Sequence, residues 1–209
     1  MKKSHLIFLF LFICFTLHSQ EEFSKSKFSI GVKGGLNISD KFDDKPWSSK
    51  IRYRTGLNID YSIGDYVFLR TGANYNQKGS TYHNNDMKLY YKLDYITIPI
   101  GLGLFIPLEE GVNISFIFSG YADLGLSVKY KVKENGHEIL SSESCEASNL
   151  KKNDMGFSVE GEFAYKQILF NIGFERGLKN ISLKRDNAGF SKWNNSCLYA
   201  TLGYRFIFK

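Results

Sequence analysis

From residue 27 onward, apolar and polar residues alternate with a period of two, in eight segments: roughly 27–38, 50–61, 66–77, 91–106, 112–130, 155–166, 168–179 and 196–208. No stretch sustains the i, i+3, i+4 spacing of an amphipathic helix, so the pattern predicts an all-β chain. Most segments run ten residues or more, against about 5–6 for a strand in an ordinary globular protein. The connections alternate too. Ser62–Asp65, Pro107–Gly111 and Lys166–Gln167 are short, whereas 40–49, 78–90, about 131–154 and about 180–195 are long and polar. An up-and-down barrel puts all short connections at one end and all long ones at the other, as transmembrane barrels do.

Alternation alone does not say which face is wet. On segment five, Ile114, Phe116, Phe118, Gly120, Ala122, Leu124, Leu126 and Val128 share one face. Asn113, Ser115, Ile117, Ser119, Tyr121, Asp123, Gly125, Ser127 and Lys129 share the other. The polar faces of all segments carry Lys33, Arg52, Arg54, Arg70, Lys129 and Arg205 against Asp60, Asp123, Glu160, Glu162 and Glu175. Such a set neutralises itself inside a narrow barrel, where an unpaired charge is costly, but it suits a solvated outer face equally well. Aromatic placement separates the two. Tyr53, Tyr61, Tyr66, Tyr75, Tyr95, Tyr130, Tyr165 and Trp193 fall near segment ends, with aliphatics and Phe between them, as the girdles of a membrane barrel require.

Composition agrees: 18 Phe and 13 Tyr, with 19 Gly and only 3 Pro, suit long strands and tight turns. The first residues read differently. Lys2 and Lys3 precede an apolar run, Leu6–Leu17, followed by "HSQEE". A basic start, a short apolar segment and a small residue at Ser19 predict a signal peptide over 1–19, leaving a single domain over 20–209. The run is shorter than the roughly 20 residues of a spanning helix. Cys14 lacks the small residues that precede a lipid-modified cysteine. Removing Lys2 and Lys3 lowers the formal charge from +6 to +4, spread along the chain. No basic stripe or module for nucleic acid is present.

The order of "FSIGVKGGLNIS" (Phe28–Ser39), "RTGLNIDYSIGDYVFLRTGANYNQKG" (Arg54–Gly79), "LDYITIPIGLGL" (Leu93–Leu104), "GFERGLKNIS" (Gly173–Ser182) and the terminal "LGYRFIFK" resembles the PorT-like outer-membrane β-barrel proteins of Bacteroidetes-type bacteria. The resemblance spans the mature chain. It implies an eight-stranded antiparallel up-and-down transmembrane barrel in the bacterial outer membrane, with short periplasmic turns, long extracellular loops and no catalytic residues to carry over. It also implies that Tyr204, Phe206 and Phe208 serve the barrel insertion machinery as a C-terminal signal, although Lys209 departs from a terminal Phe.

Chemistry is sparse. His83 and His137 fall in long connections, without a Cys or carboxylate at metal-ligand spacing. Glu160 and Glu162 share one face, where charge balance is the expected role, and Gly101–Phe105 precedes no helix and is no nucleotide loop. The Asn-x-Ser matches at Asn37, Asn113, Asn180 and Asn194 read as chance. Cys145 and Cys197 remain after export, and a disulfide between them would pin the third long loop. No cofactor or metal is expected.

Eight strands enclose a space that side chains just fill. The sequence therefore predicts a non-enzymatic barrel with a plugged lumen and a structural, surface-binding or secretion-accessory role. Its partners would be outer-membrane lipid and, through loops carrying Trp47, Tyr82, Lys151, Lys152 and Trp193, secretion or surface proteins or glycans. A narrow or gated solute channel and a soluble exported lipocalin-like binder are the rival readings.

Overall fold

The computed structural model describes residues 27–41, 47–84, 87–134, 137–142, 151–181 and 194–208. The signal segment 1–19 and Cys145 lie outside them. The strands are β1 (Phe28–Lys41), β2 (Trp47–Ser62), β3 (Val67–Lys78), β4 (Ser80–Asn84), β5 (Met87–Glu109), β6 (Val112–Glu134), β7 (His137–Ser142), β8 (Asp154–Tyr165), β9 (Ile168–Gly177) and β10 (Asn195–Phe208). Eight of them, β1, β2, β3, β5, β6, β8, β9 and β10, pair in that order as an antiparallel ring. It closes where β10 meets β1, from Phe28 opposite Phe208 to Lys41 opposite Asn195. A closed ring has no edge of unpaired amides, the condition for a sheet to survive in hydrocarbon.

The three short connections gather at one end and hydrogen-bond across the rim. Phe105 N donates to Tyr66 O at 2.7 Å, Lys166 N to Gly111 O at 2.6 Å, and Arg205 N to Gln167 O at 2.7 Å. At the other end, two stretches expected to be loops are partly strand. β4 extends the β3 stave beyond Gly79 and lies between β2 and β5, while β7 pairs with the far end of β6. His83 and His137 therefore lie on strands, not in loops. The break at Gly79, whose φ is +144°, interrupts the alternation that would have revealed β4.

Side chains alternate as the period requires. Ile96, Ile98, Ile100, Leu102, Leu104 and Ile106 of β5 point outward beside Phe116, Phe118, Leu124 and Leu126 of β6. From Ile96 to Ile106, at about 3.4 Å per residue and a tilt of about 40°, this belt is roughly 26 Å tall. Exposure of Ile100 at 67% and Phe118 at 61% is what a lipid-facing surface shows and what a lipocalin-like binder does not. The soluble reading is overturned by this outward apolar belt. Phe28, Tyr61, Tyr66, Tyr165 and Phe208 ring the short-turn end on the outside.

One irregularity resets the faces. Asp94 lies opposite Ser127 and Tyr95 opposite Gly125, so Leu126 is an extra residue on β6. Beyond this bulge the parity of β6 reverses. Val128, expected outside, is buried within, and Lys129, expected inside, moves to the outer face. Tyr95 is also no girdle residue. It sits on the inward parity of β5 at 1% exposure, whereas Tyr53, Tyr61, Tyr66 and Tyr165 do face out. Tyr75 and Tyr130 are half-buried, and Trp193 lies outside the described residues.

Candidate functional site

The barrel interior holds the densest chemistry in the molecule, and the inward parity of each strand builds it. Lys33 comes from β1, Arg54 and Asp60 from β2, Arg70 and Lys78 from β3, Asp123 from β6, Glu160 and Glu162 from β8, Glu175 from β9 and Arg205 from β10. All ten are buried. Arg70 is the hub nearer the short turns. Its Nε lies 2.7 Å from Asp60, Nη1 2.6 Å from Glu160 and Nη2 2.9 Å from Glu162. Arg205 pairs with Glu162 and stands 3.7 Å from Asp60, and Lys33 reaches Glu160 at 3.2 Å.

A second group lies toward the long-loop end. Arg54 pairs with Glu175 at 2.5 Å, and Lys78 bridges Asp123 at 2.7 Å and Glu175 at 3.0 Å. Five cations thus face five carboxylates. A buried charge is tolerable only when paired and hydrogen-bonded, and neutral residues supply further bonds. Tyr199 donates to Glu160 at 2.8 Å, Asn171 to Glu162 at 2.7 Å, Asn76 to Glu175 at 3.1 Å and Thr97 to Asp123 at 2.5 Å. The Tyr199 ring also stacks 4.1 Å from the Arg54 guanidinium. It needs a bare backbone beside it: a Cβ on Gly173 would fall 2.4 Å from the ring.

Apolar clusters lie along the same interior on both sides of the charges. Phe68, Phe105 and Ile117, with Ile207 against them, fill the short-turn end. Gly103 opens the space for Phe68, since a Cβ there would meet the ring at 2.2 Å. Tyr91, Leu93, Tyr95 and Val128 pack around Ile181 at the long-loop end. Ile181 reaches that position on a segment tied down by Lys151 N donating to Ile181 O at 2.6 Å.

Like Lys129 on the outer face, Arg52 differs from the other residues of the predicted charge set. It is half-buried, one rung above Arg54, and joins none of these pairs. Lys78 falls one residue past the segment that alternation marks, at the end of β3. Its parity with Arg70, Asn74 and Asn76 was the available signal. Asp154, buried and accepting from Asn195 at 2.9 Å, escaped for the same reason at the start of β8.

The carboxylates of Glu160 and Glu162 are engaged by cations, so they do not form an exposed acid–base pair. Among the described residues, no cluster of His, Cys, Asp or Glu is arranged to hold a metal ion. Cys197 turns its thiol into the barrel at 1% exposure. Asn37 and Asn113 are buried inside, where no glycan fits. Tyr204, Phe206 and Phe208 line the outer face of β10 at the short-turn end, with Tyr204 and Phe206 4.9 Å apart and Phe208 5.8 Å from Phe28. Trp47 and Tyr82, expected on loops, are opposed across β2 and β4. Lys152 is exposed, and Lys151 donates to Asn180 O at 3.3 Å.

Residues 18–183 match the family described as "Outer membrane protein beta-barrel domain". No protein of curated function matches the sequence. Among solved structures, the chain is similar to Ail, the attachment invasion locus protein of Yersinia pestis, at 10% identity and TM-score 0.44, over 87% of this chain and 99% of that one. It is similar to Neisserial surface protein A at 14% identity and TM-score 0.46, over 87% and 98%. The outer membrane protein OprG from Pseudomonas aeruginosa is similar at 13% identity and TM-score 0.47, over 87% and 97%.

Proposed function

The chain belongs to the outer membrane protein beta-barrel domain family and is an integral protein of the bacterial outer membrane, and from that premise we propose that it is a non-enzymatic barrel with a side-chain-plugged lumen. Its role is structural, surface-binding or secretion-accessory, of the PorT-like kind, exercised through the long-loop end. Residues 1–19 are an export signal removed on the way, and 20–209 are the barrel domain. Tyr204, Phe206 and Phe208 present the strand that the insertion machinery reads.

The observation that carries this reading is the ion-pair network across the interior, centred on Arg70 and bracketed by the two apolar clusters. A diffusing solute would have to part charges buried at 6% exposure or less, a cost of several kcal/mol for each ion. Function then falls to the loops and rim, which a rigid scaffold holds in place.

The test is conductance in planar bilayers. The purified barrel is expected to give no sustained current at either polarity. Steady unitary currents, abolished by Arg70→Ala or Glu160→Gln, would replace this reading with that of a gated small-solute channel.

A further inference from the structure

The ion pairs inside the barrel leave one buried carboxylate over. Asp154, the first residue of β8, is 2% exposed and lies directly opposite Asp123 of β6, which is fully buried. Like charges directly opposed across an antiparallel pair destabilise it. Lys78 answers Asp123 at 2.7 Å and Glu175 at 3.0 Å, and among the described residues no cation pairs with Asp154. Its oxygens accept from Met155 N at 2.8 Å and Asn195 Nδ2 at 2.9 Å, bonds that leave the charge uncompensated. Two residues nearer the short turns, Tyr121 lies opposite Gly156 and holds its hydroxyl over that glycine, where a Cβ would fall 2.7 Å from the oxygen. Tyr121 is 5% exposed, and its hydroxyl has no hydrogen-bond partner. A Cβ on Gly177 would fall equally close to Asp154 Oδ2, at 2.7 Å. Two glycines thus keep the backbone clear of a carboxylate without a cation and a hydroxyl without a partner.

An apolar roof lies above this corner, toward the long-loop end. Tyr91, Leu93, Tyr95 and Val128 pack around Ile181, and Tyr95 links the two levels, its ring 5.7 Å from Lys78 Nζ. Ile181 belongs to no strand. Lys151 holds it, donating from N to Ile181 O at 2.6 Å and from Nζ to Asn180 O at 3.3 Å. Lys151 and Asp154 are separated by at most about 10 Å of chain. We infer that Asp154 is the charged end of a binding site for a small organic amine. The ammonium meets Asp154 and the Tyr121 hydroxyl, and the apolar stem takes the place of Ile181 among the four roof residues. Charge selects this class. A primary ammonium carries three donors and the single positive charge that Asp154 lacks. An anion would add to two opposed carboxylates, and a neutral alcohol would leave Asp154 uncompensated. The site is reached from the long-loop end and needs no solute to cross the barrel, so it stands whether or not the lumen conducts.

The test titrates the full-length folded protein in neutral detergent with phenylbutylamine, and with phenylbutanol as the uncharged control. The amine is expected to shift the amide resonances of Asp154, Tyr121 and Ile181 to saturation, and the alcohol to leave Asp154 and Tyr121 unmoved. Asp154→Asn removes a charge-assisted hydrogen bond and should weaken amine binding roughly 10-fold or more. Tyr121→Phe should weaken it by about 5-fold, and it serves as the second variant should Asp154→Asn fail to fold. Ile181→Ala should tighten it, because the stem no longer displaces a packed side chain. Glu138→Gln, which alters an exposed carboxylate, should change nothing. Equal shifts from amine and alcohol, an undiminished affinity in Asp154→Asn, or a weaker one in Ile181→Ala overturns the inference. So does displacement of the amine by potassium chloride but not by choline chloride at the same ionic strength, which would assign the corner to an inorganic cation.

Discussion

Arg70 holds three carboxylates from two strands, so its loss is felt by all three. Arg70→Ala should destabilise the folded barrel by about 3–5 kcal/mol, because Asp60, Glu160 and Glu162 would keep their burial with one cation fewer. Urea unfolding in lipid vesicles measures it. Arg70→Met combined with Glu160→Gln removes one charge of each sign and should cost less than Arg70→Ala alone. If the effects of Arg70→Met and Glu160→Gln simply add, the two residues do not share the burden and the network picture fails. Tyr199 adds a contrasting case. Its hydroxyl serves Glu160 while its ring lies against Arg54, so Tyr199→Phe removes one bond and leaves the stacking contact.

Among the elements, the bulge at Leu126 decides more than any other single feature. Deleting Leu126 removes the extra residue and restores unbroken alternation, with Val128 still inward and Lys129 still outward opposite the same β5 partners. The expected result is a barrel that still inserts and keeps its upper β5–β6 hairpin. Amide exchange should stay slow from Met87 to Asp94 and from Ser127 to Glu134, as across Ile96–Ile106. Faster exchange confined to the upper hairpin would show that the bulge itself, and not only the faces it sets, holds those strands together. The same feature marks where the sequence stops being legible. Within the lipid belt, a strict period of two reveals strand, face and even the charged interior, because lipid tolerates no exception to alternation. Above it the inward face is apolar and the outward face polar, the reverse of the belt, and one extra residue shifts the parity without a sequence marker. Val128, Lys129 and Tyr95 were misplaced there, and β4 and β7 passed for loop. The apolar clusters were hidden for another reason: Phe68, Phe105 and Ile207 look in composition like any lipid-facing residue.

Along the barrel axis the whole molecule is layered: apolar at the short turns, charged through the middle, aromatic and aliphatic at the mouth. The outer surface runs in a different order, with a Phe and Tyr rim, an aliphatic belt and, on β5 and β6, lysines above it. Salt should therefore tell inside from outside. Raising ionic strength in neutral detergent should leave the cost of Arg70→Ala nearly unchanged, since the pairs it disturbs are shielded by protein. Lys88 and Lys133 oppose each other across β5 and β6, so Lys88→Gln with Lys133→Gln should melt above the wild type, and the same salt should erase most of that difference. A salt-sensitive cost for Arg70→Ala would mean that bulk ions enter the interior.

The network also has a bearing on timing. Its pairs join residues far apart in the chain: Lys33 and Glu160 are separated by 127 positions, Arg54 and Glu175 by 121, Arg70 and Glu160 by 90. Neighbouring strands can zip locally, but these partners meet only when β10 reaches β1. Until that moment every one of these side chains keeps its hydration shell, and the nascent sheet carries water with it into the bilayer. Shutting the ring and drying its centre become one late event. The charge-balanced variant Arg70→Met with Glu160→Gln has less water to shed. It should insert into vesicles faster than the wild type while unfolding sooner, both rates read from the gel shift between folded and unfolded barrel.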